Sequence, residues 1–208
     1  MIDEGYIKYQ CHWTKQASVT PAEIVSLNRW RDRLYRLGLI GQYENGIGFG
    51  NLSSRINQTH DFIISGTQTG GIPQLTDQHY TKVVDFDPKQ NYVTCIGAIK
   101  ASSESLTHGA LYKADTRINA VIHVHNLALW QRLINVVPTT HYSCAYGTPE
   151  MAEEIMRLCN TAKTQQQKII VMSGHEEGII TFGEDIEEAG NTLLHFFDSL
   201  TTPKAVNN

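Results

Sequence analysis

The pattern of apolar and polar positions divides the chain into short alternating or fully apolar runs separated by longer three-to-four periodicities. Residues 20–38 give the first of the latter. Thr20-Pro21-Ala22-Glu23 supplies a hydroxyl cap, a proline at the first helical position and a glutamate at the third. Ile24, Leu27, Trp30 (or the stem of Arg31), Leu34 and Leu37 follow at helical spacing, and Gly38 closes the helix. Further helices are expected over residues 103–113, with Leu106, Ala110 and Ala114 inward, and over 127–134. Two more are expected from the Thr148-Pro149-Glu150 start and over 185–200. Strands are expected at 46–55, 62–67, 120–125, 168–172 and 179–182, and as a hairpin of 82–87 with 92–95 around the turn at 88–91. Residues 1–19 show no clear period and read as an arm over the body; residues 201–208 read as a tail. One domain is expected between them, over 20–200, since 208 residues that are 41% hydrophobic can bury one sizeable core.

Charge narrows the function. A net charge of -4 argues against a nucleic-acid or membrane-surface partner, and no apolar run approaches the ~20 residues of a membrane helix. The N-terminus lacks the basic and apolar regions of a signal peptide. Cys11, Cys95, Cys144 and Cys159 show neither Cys-x-x-Cys pairing nor scaffold density. Reduced thiols and a cytoplasmic location are the expectation.

Candidate chemistry gathers around Ala120-Val-Ile-His-Val-His125. On a strand, Val121, His123 and His125 face one way and Ile122 and Val124 the other. Two imidazoles so placed can share a metal ion, although a strand with two hydrogen-bonded histidines would look the same. Three other segments change the balance. Ser102-Ser103-Glu104 stands at a helix start, where unpaired N–H groups attract anions. Ser173-Gly174-His175 follows the 168–172 strand and sets an imidazole at the sheet's end. Gly46-Ile-Gly-Phe-Gly-Asn51 and Ser65-Gly66-Thr67 offer small residues and neutral hydrogen-bonding groups, without the lysine or helix-opening pattern of a nucleotide loop. The glycines of 46–50 fit a structural role as well as a functional one. Lys100 and Arg55 are cations that either meet an anion or stay solvated. His12, His60, His79, His141 and His195 lack a motif and read as structural.

In this order Gly50-Asn51-Leu-Ser, Ser102-Ser103-Glu104, His123-x-His125 and His175 resemble the class II aldolase/adducin family, over about residues 23–200. The resemblance implies an α/β fold, a single-domain α/β/α three-layer arrangement around a mostly antiparallel sheet, and a homotetramer with sites between subunits. It implies that His123, His125 and His175 bind a divalent metal, zinc first, with Mn2+, Co2+ or Fe2+ as alternatives. Glu104 would be the acid/base, and Asn51, Ser65, Gly66, Thr67, Ser102 and Ser103 would bind the substrate. The activity implied is carbon–carbon cleavage of a small hydroxyketone, sugar or sugar phosphate through a metal-stabilised enediolate. An epimerase or dehydratase using the same site, or a non-catalytic adducin-like assembly or metal-binding module, are the alternatives. Tyr142 and Tyr146 are candidates for a second proton donor. Three neutral imidazoles leave a divalent ion's charge uncompensated and coordination positions open, which suits catalysis rather than structure.

Overall fold

The computed structural model of the protein describes residues 6–200. In chain order the strands are β1 (Gln10–Lys15), β2 (Gly41–Gln42), β3 (Gly48–Phe49), β4 (Asn51–Arg55), β5 (Phe62–Ser65), β6 (Tyr80–Asp87), β7 (Tyr92–Gly97), β8 (Ala120–His125), β9 (Ile169–Val171) and β10 (Gly178–Gly183). The helices are α1 (Val25–Arg36), α2 (Ser105–Ala114), α3 (Leu127–Leu133), α4 (Pro149–Cys159), α5 (Ala162–Gln167) and α6 (Ile186–Asp198). Eight strands form one sheet in the order β1-β7-β6-β5-β4-β8-β10-β9, antiparallel throughout except for β1 beside β7. The predicted mixed α/β fold with a largely antiparallel sheet is therefore observed. No helix among the described residues is long and apolar enough to cross a membrane.

Alternation along the strands makes two cores. Phe62, Ile64, Val83, Cys95, Val121 and Ile180 point to one face, where α2 and α4 pack together with Leu106, Leu111, Met151 and Ile155. Leu52, Ile63, Ile122, Val124, Ile169 and Ile179 point to the other, under α1 and α6 with Leu27, Leu34, Ala189 and Leu193. Leu27 and Leu34 are fully buried, so truncating either to alanine should cost about 2–5 kcal/mol. At the entry to α1 Glu23 reaches back to Thr20, its Oε2 accepting from the backbone N–H and the hydroxyl, both at 2.8 Å. The first turn, Pro21–Ile24, winds as a 3-10 helix before α1 begins.

Several segments differ from expectation, among them β2 and α5, which no expected element covers. Residues 10–15, read as part of an arm, form the edge strand β1, with Cys11 and Trp13 half-buried against the α2 face. The stretch 46–55, expected as a strand entering or leaving a small-residue loop, is broken at Gly50, whose φ of +76° turns β3 away from β4. Only glycine suits this break, since a Cβ there would lie 2.8 Å from Ile40 Cγ1 in a left-handed backbone. β3 instead pairs with β2 as a separate ribbon that walls the end of the sheet where β8 terminates. The expected tail at 201–208 lies outside the described residues.

Candidate active site

β8 sits between β4 and β10, and its register decides which side chains meet. His123 is opposite Asn51 on β4 and Ile180 on β10, while His125 is opposite Gly178. The turn from β9 to β10 brings His175 back over the end of β8. Gly174 permits it, because a Cβ there would overlap the Cys144 carbonyl oxygen at 2.0 Å. One ring nitrogen from each of His123, His125 and His175 then lies within 4.8 Å of the others, and all three side chains are buried.

The orientation of two imidazoles follows from their outer nitrogens. His123 Nδ1 is 3.2 Å from the Ile179 carbonyl oxygen, which only accepts, so Nδ1 carries the proton and Nε2 keeps a lone pair. His125 Nδ1 is 2.8 Å from the Tyr43 hydroxyl, which itself donates to Glu177 Oε2 at 2.7 Å. That leaves the hydroxyl oxygen to accept from His125, and His125 Nε2 also faces the centre. The two Nε2 atoms are 3.0 Å apart. Burial holds the pKa of both rings well below the ordinary value, with repulsion from His175 adding to it, so both stay neutral.

Neutral, converging, buried imidazoles fit a divalent transition ion. The 3.0 Å separation of two lone-pair atoms is unfavourable by itself and matches two ligands of one ion at bond lengths of ~2.0–2.1 Å. Zinc, or another ion that accepts imidazole, suits the donor set.

Glu104 is the N-cap of α2 rather than a residue of its first turn, and it is only 2% exposed. Its Oε2 accepts from Thr107 Oγ1 at 2.6 Å, and Oε1 lies 3.8 Å from His175 Nδ1. Ser102 Oγ accepts from Asn51 Nδ2 at 3.0 Å, tying β4 to the start of α2. Asn51 Oδ1 is buried with no hydrogen-bond partner among the described residues and remains able to accept from a ligand.

Asn51, Gly66, Thr67, Ser102, Ser103, Glu104 and His123 line one small cavity of about 20 Å³. Ser65 does not line it; its hydroxyl accepts from Leu52 N–H at 3.3 Å within the sheet. Gln68 closes the cavity from above, its Oε1 accepting from Gly48 N–H at 2.9 Å. Beneath that loop Arg31 is buried, and its guanidinium donates to the carbonyls of Pro73, Thr69 and Gly70 at 3.0, 3.2 and 2.9 Å.

Other candidates lie elsewhere. Arg55 is neither solvated nor near an anion site: it is buried, donating to the carbonyls of Ile118, Thr59, Tyr112 and Asp115 and stacking on the Tyr112 ring. Lys100 stands over the Trp13 ring. Tyr142 is 75% exposed, whereas Tyr146 is buried and stacked on His175 with ring centroids 4.7 Å apart. Tyr43, Gln68 and Glu177 are not singled out in the sequence, and Arg31 only for its stem on the first helix. None sits in a motif, and only their places beside the site give them meaning.

This fold and site define a class. The pattern of the Class II Aldolase and Adducin N-terminal domain matches residues 34–200, and the chain belongs to that family. Among solved structures it is similar to YgbL, a candidate aldolase/epimerase/decarboxylase from Escherichia coli, at 18% identity and a TM-score of 0.62 over 84% of each chain. It is also similar to L-fuculose-1-phosphate aldolase from Thermus thermophilus, at 19% identity and a TM-score of 0.60, over 85% of this chain and 89% of that one. YgbL from Klebsiella pneumoniae aligns over 92% of this chain and 93% of that one, at 15% identity and a TM-score of 0.65. At these identities the likeness is one of fold. No curated protein matches the sequence.

Proposed function

We propose that the protein is a divalent-metal-dependent lyase of the class II aldolase type, cleaving a carbon–carbon bond in a small hydroxyketone, sugar or sugar phosphate. The observation that carries this reading is the convergence of three buried histidines beside the buried carboxylate of Glu104. His123, His125 and His175 hold the ion, zinc being first choice. A divalent ion bound there would polarise a carbonyl and stabilise the negative charge that develops on its oxygen.

The chain's own residues supply the rest. Glu104 moves the proton, held against rotation by Thr107 and shielded from water by burial. Asn51, Gly66, Thr67, Ser102 and Ser103 bind the substrate through neutral groups. A cavity of about 20 Å³ holds about one water, so a substrate enters by displacing Gln68 from Gly48. Tyr146, stacked on His175, steadies that ring; a proton donor from loop 141–147 would be Tyr142, whose exposure suits a site completed by a neighbouring subunit. Assembly as a homotetramer belongs to the same reading. The four free thiols Cys11, Cys95, Cys144 and Cys159 fit a reducing, cytoplasmic setting.

The test is a screen of metal-loaded protein against free and phosphorylated ketoses, reading aldehyde release, epimer and dehydrated product. Aldehyde release that a chelator abolishes and added zinc restores supports the lyase. An epimer or dehydrated product would assign the same site to those reactions instead. Full metal occupancy with no product on any ketose would overturn the enzymatic reading.

A further inference from the structure

We infer that Tyr43 and Glu177 are positioning residues that hold His125 in its ligating tautomer and strengthen metal binding; the inference rests on the metal site proposed above. Three observations meet here. The hydrogen-bond chain runs from Glu177 Oε2 through the Tyr43 hydroxyl at 2.7 Å to His125 Nδ1 at 2.8 Å. A carboxylate at its end can only accept, so the phenol proton points to Glu177 and the imidazole proton to Tyr43. The lone pair is thereby fixed on Nε2, the atom 3.0 Å from His123 Nε2. Glu177 Oε2 is itself 3.9 Å from His125 Nδ1, so Tyr43 is the link rather than a bystander.

The second observation is backbone strain. Glu177 has φ +68°, a left-handed conformation that favours glycine and is costly for glutamate. Gly178 follows at once, and the Glu177 carbonyl accepts from Asn126 N–H at 3.1 Å, so the turn is pinned to the residue after His125. That turn sets the Glu177 carboxylate against the Tyr43 hydroxyl.

The third is packing. The Tyr43 ring lies 4.5 Å from Phe49, and Phe49 lies 5.5 Å from the His125 ring. The phenol is thus held in place by β3 while its hydroxyl does the orienting. Tyr43 meets His125 on the nitrogen turned away from His123. It acts through the ring, and is not itself a group that reaches the reacting atoms. A carboxylate joined through a phenol to a ligating imidazole raises the donor strength of that imidazole, as outer hydrogen bonds do in metal sites generally.

The experiment measures affinity for zinc by competition with a chromophoric chelator, together with the visible spectrum of the Co2+-substituted protein. Variants are Tyr43→Phe, Glu177→Gly, the double variant, and His123→Ala. Tyr43→Phe and Glu177→Gly should each weaken zinc binding by about 10–100-fold and shift the Co2+ bands. The double variant should be little worse than either single one, because both break one chain. Glu177→Gly should also raise the melting temperature of the metal-free protein by roughly 2–4 °C, since glycine relieves the left-handed strain. A site that is tighter folded yet a weaker binder is not what loss of a merely structural glutamate produces. Wild-type affinity in Tyr43→Phe and Glu177→Gly, with zinc lost in His123→Ala, would overturn this inference and leave the metal site standing. Zinc retained at full affinity in His123→Ala would overturn the metal site itself.

Discussion

His108 makes the metal-free protein acid-sensitive by an amount that can be worked out. The ring is completely buried behind the site, with Nδ1 2.7 Å from Ser53 Oγ, and Nε2 has no partner among the described residues. Burial pushes its pKa from 6.5 down to about 3. Below 6.5 the unfolded chain takes up a proton that the folded chain refuses, so stability is full above 6.5 and is lost progressively as pH falls toward 3. Between about pH 7.5 and pH 5 this single group should remove about 2 kcal/mol, at ~1.36 kcal/mol per pH unit beyond 6.5. His123 and His125 shift in the same direction and add to the loss. The assay is urea unfolding of chelator-treated protein at both pH values, for wild type and His108→Asn. Asparagine keeps a polar atom near Nδ1 and cannot be protonated; the variant is less stable at neutral pH because it leaves a void. Its loss on acidification should nevertheless be smaller than that of wild type by about 2 kcal/mol. Equal losses in the two proteins would refute the reasoning.

Glu104→Gln should leave fold and metal content intact, since glutamine can still accept from Thr107, while turnover falls by about a hundred- to ten-thousand-fold; steady-state kinetics on whichever ketose the screen identifies would show it. Substantial activity in that variant would move the proton transfer to another group. Arg31→Met should lower stability by about 2–4 kcal/mol in urea unfolding, because three carbonyls of the 69–73 loop lose a charged donor. It should also raise KM more than it lowers kcat, as Gly66 and Thr67, which lead into that loop and bind the substrate, lose their support.

Much of this was legible in the sequence because periodicity and burial agree. Val121, His123 and His125 share one face of β8, and Ile122 and Val124 share the other, as alternation dictates. Thr20-Pro21-Ala22-Glu23 and Asp185 mark helix starts by chemistry that acts within one turn. β1 escaped notice because an edge strand with only Cys11 and Trp13 turned inward gives too short an alternation to stand out. The break at Gly50 was hidden because glycine inside a strand reads as extended chain until a neighbour such as Ile40 is known. For the site, the histidines and Glu104 lie in compact motifs, whereas Tyr43 and Glu177 are 134 positions apart and meet only through the fold. Arg55 shows the converse: a charge of ambiguous use in the sequence is taken up by backbone carbonyls and the Tyr112 ring.

The central claim, that His123, His125 and His175 form a divalent metal site, is tested most directly by counting metal. Protein purified without chelator and analysed by plasma mass spectrometry should carry about one divalent ion per chain. His123→Ala, His125→Ala and His175→Ala should each be nearly empty. His79→Ala, whose ring Nδ1 meets the exposed Thr76 N–H and hydroxyl at 2.9 and 3.1 Å, should be loaded like wild type. Equal metal in wild type and all three ligand variants would contradict the site.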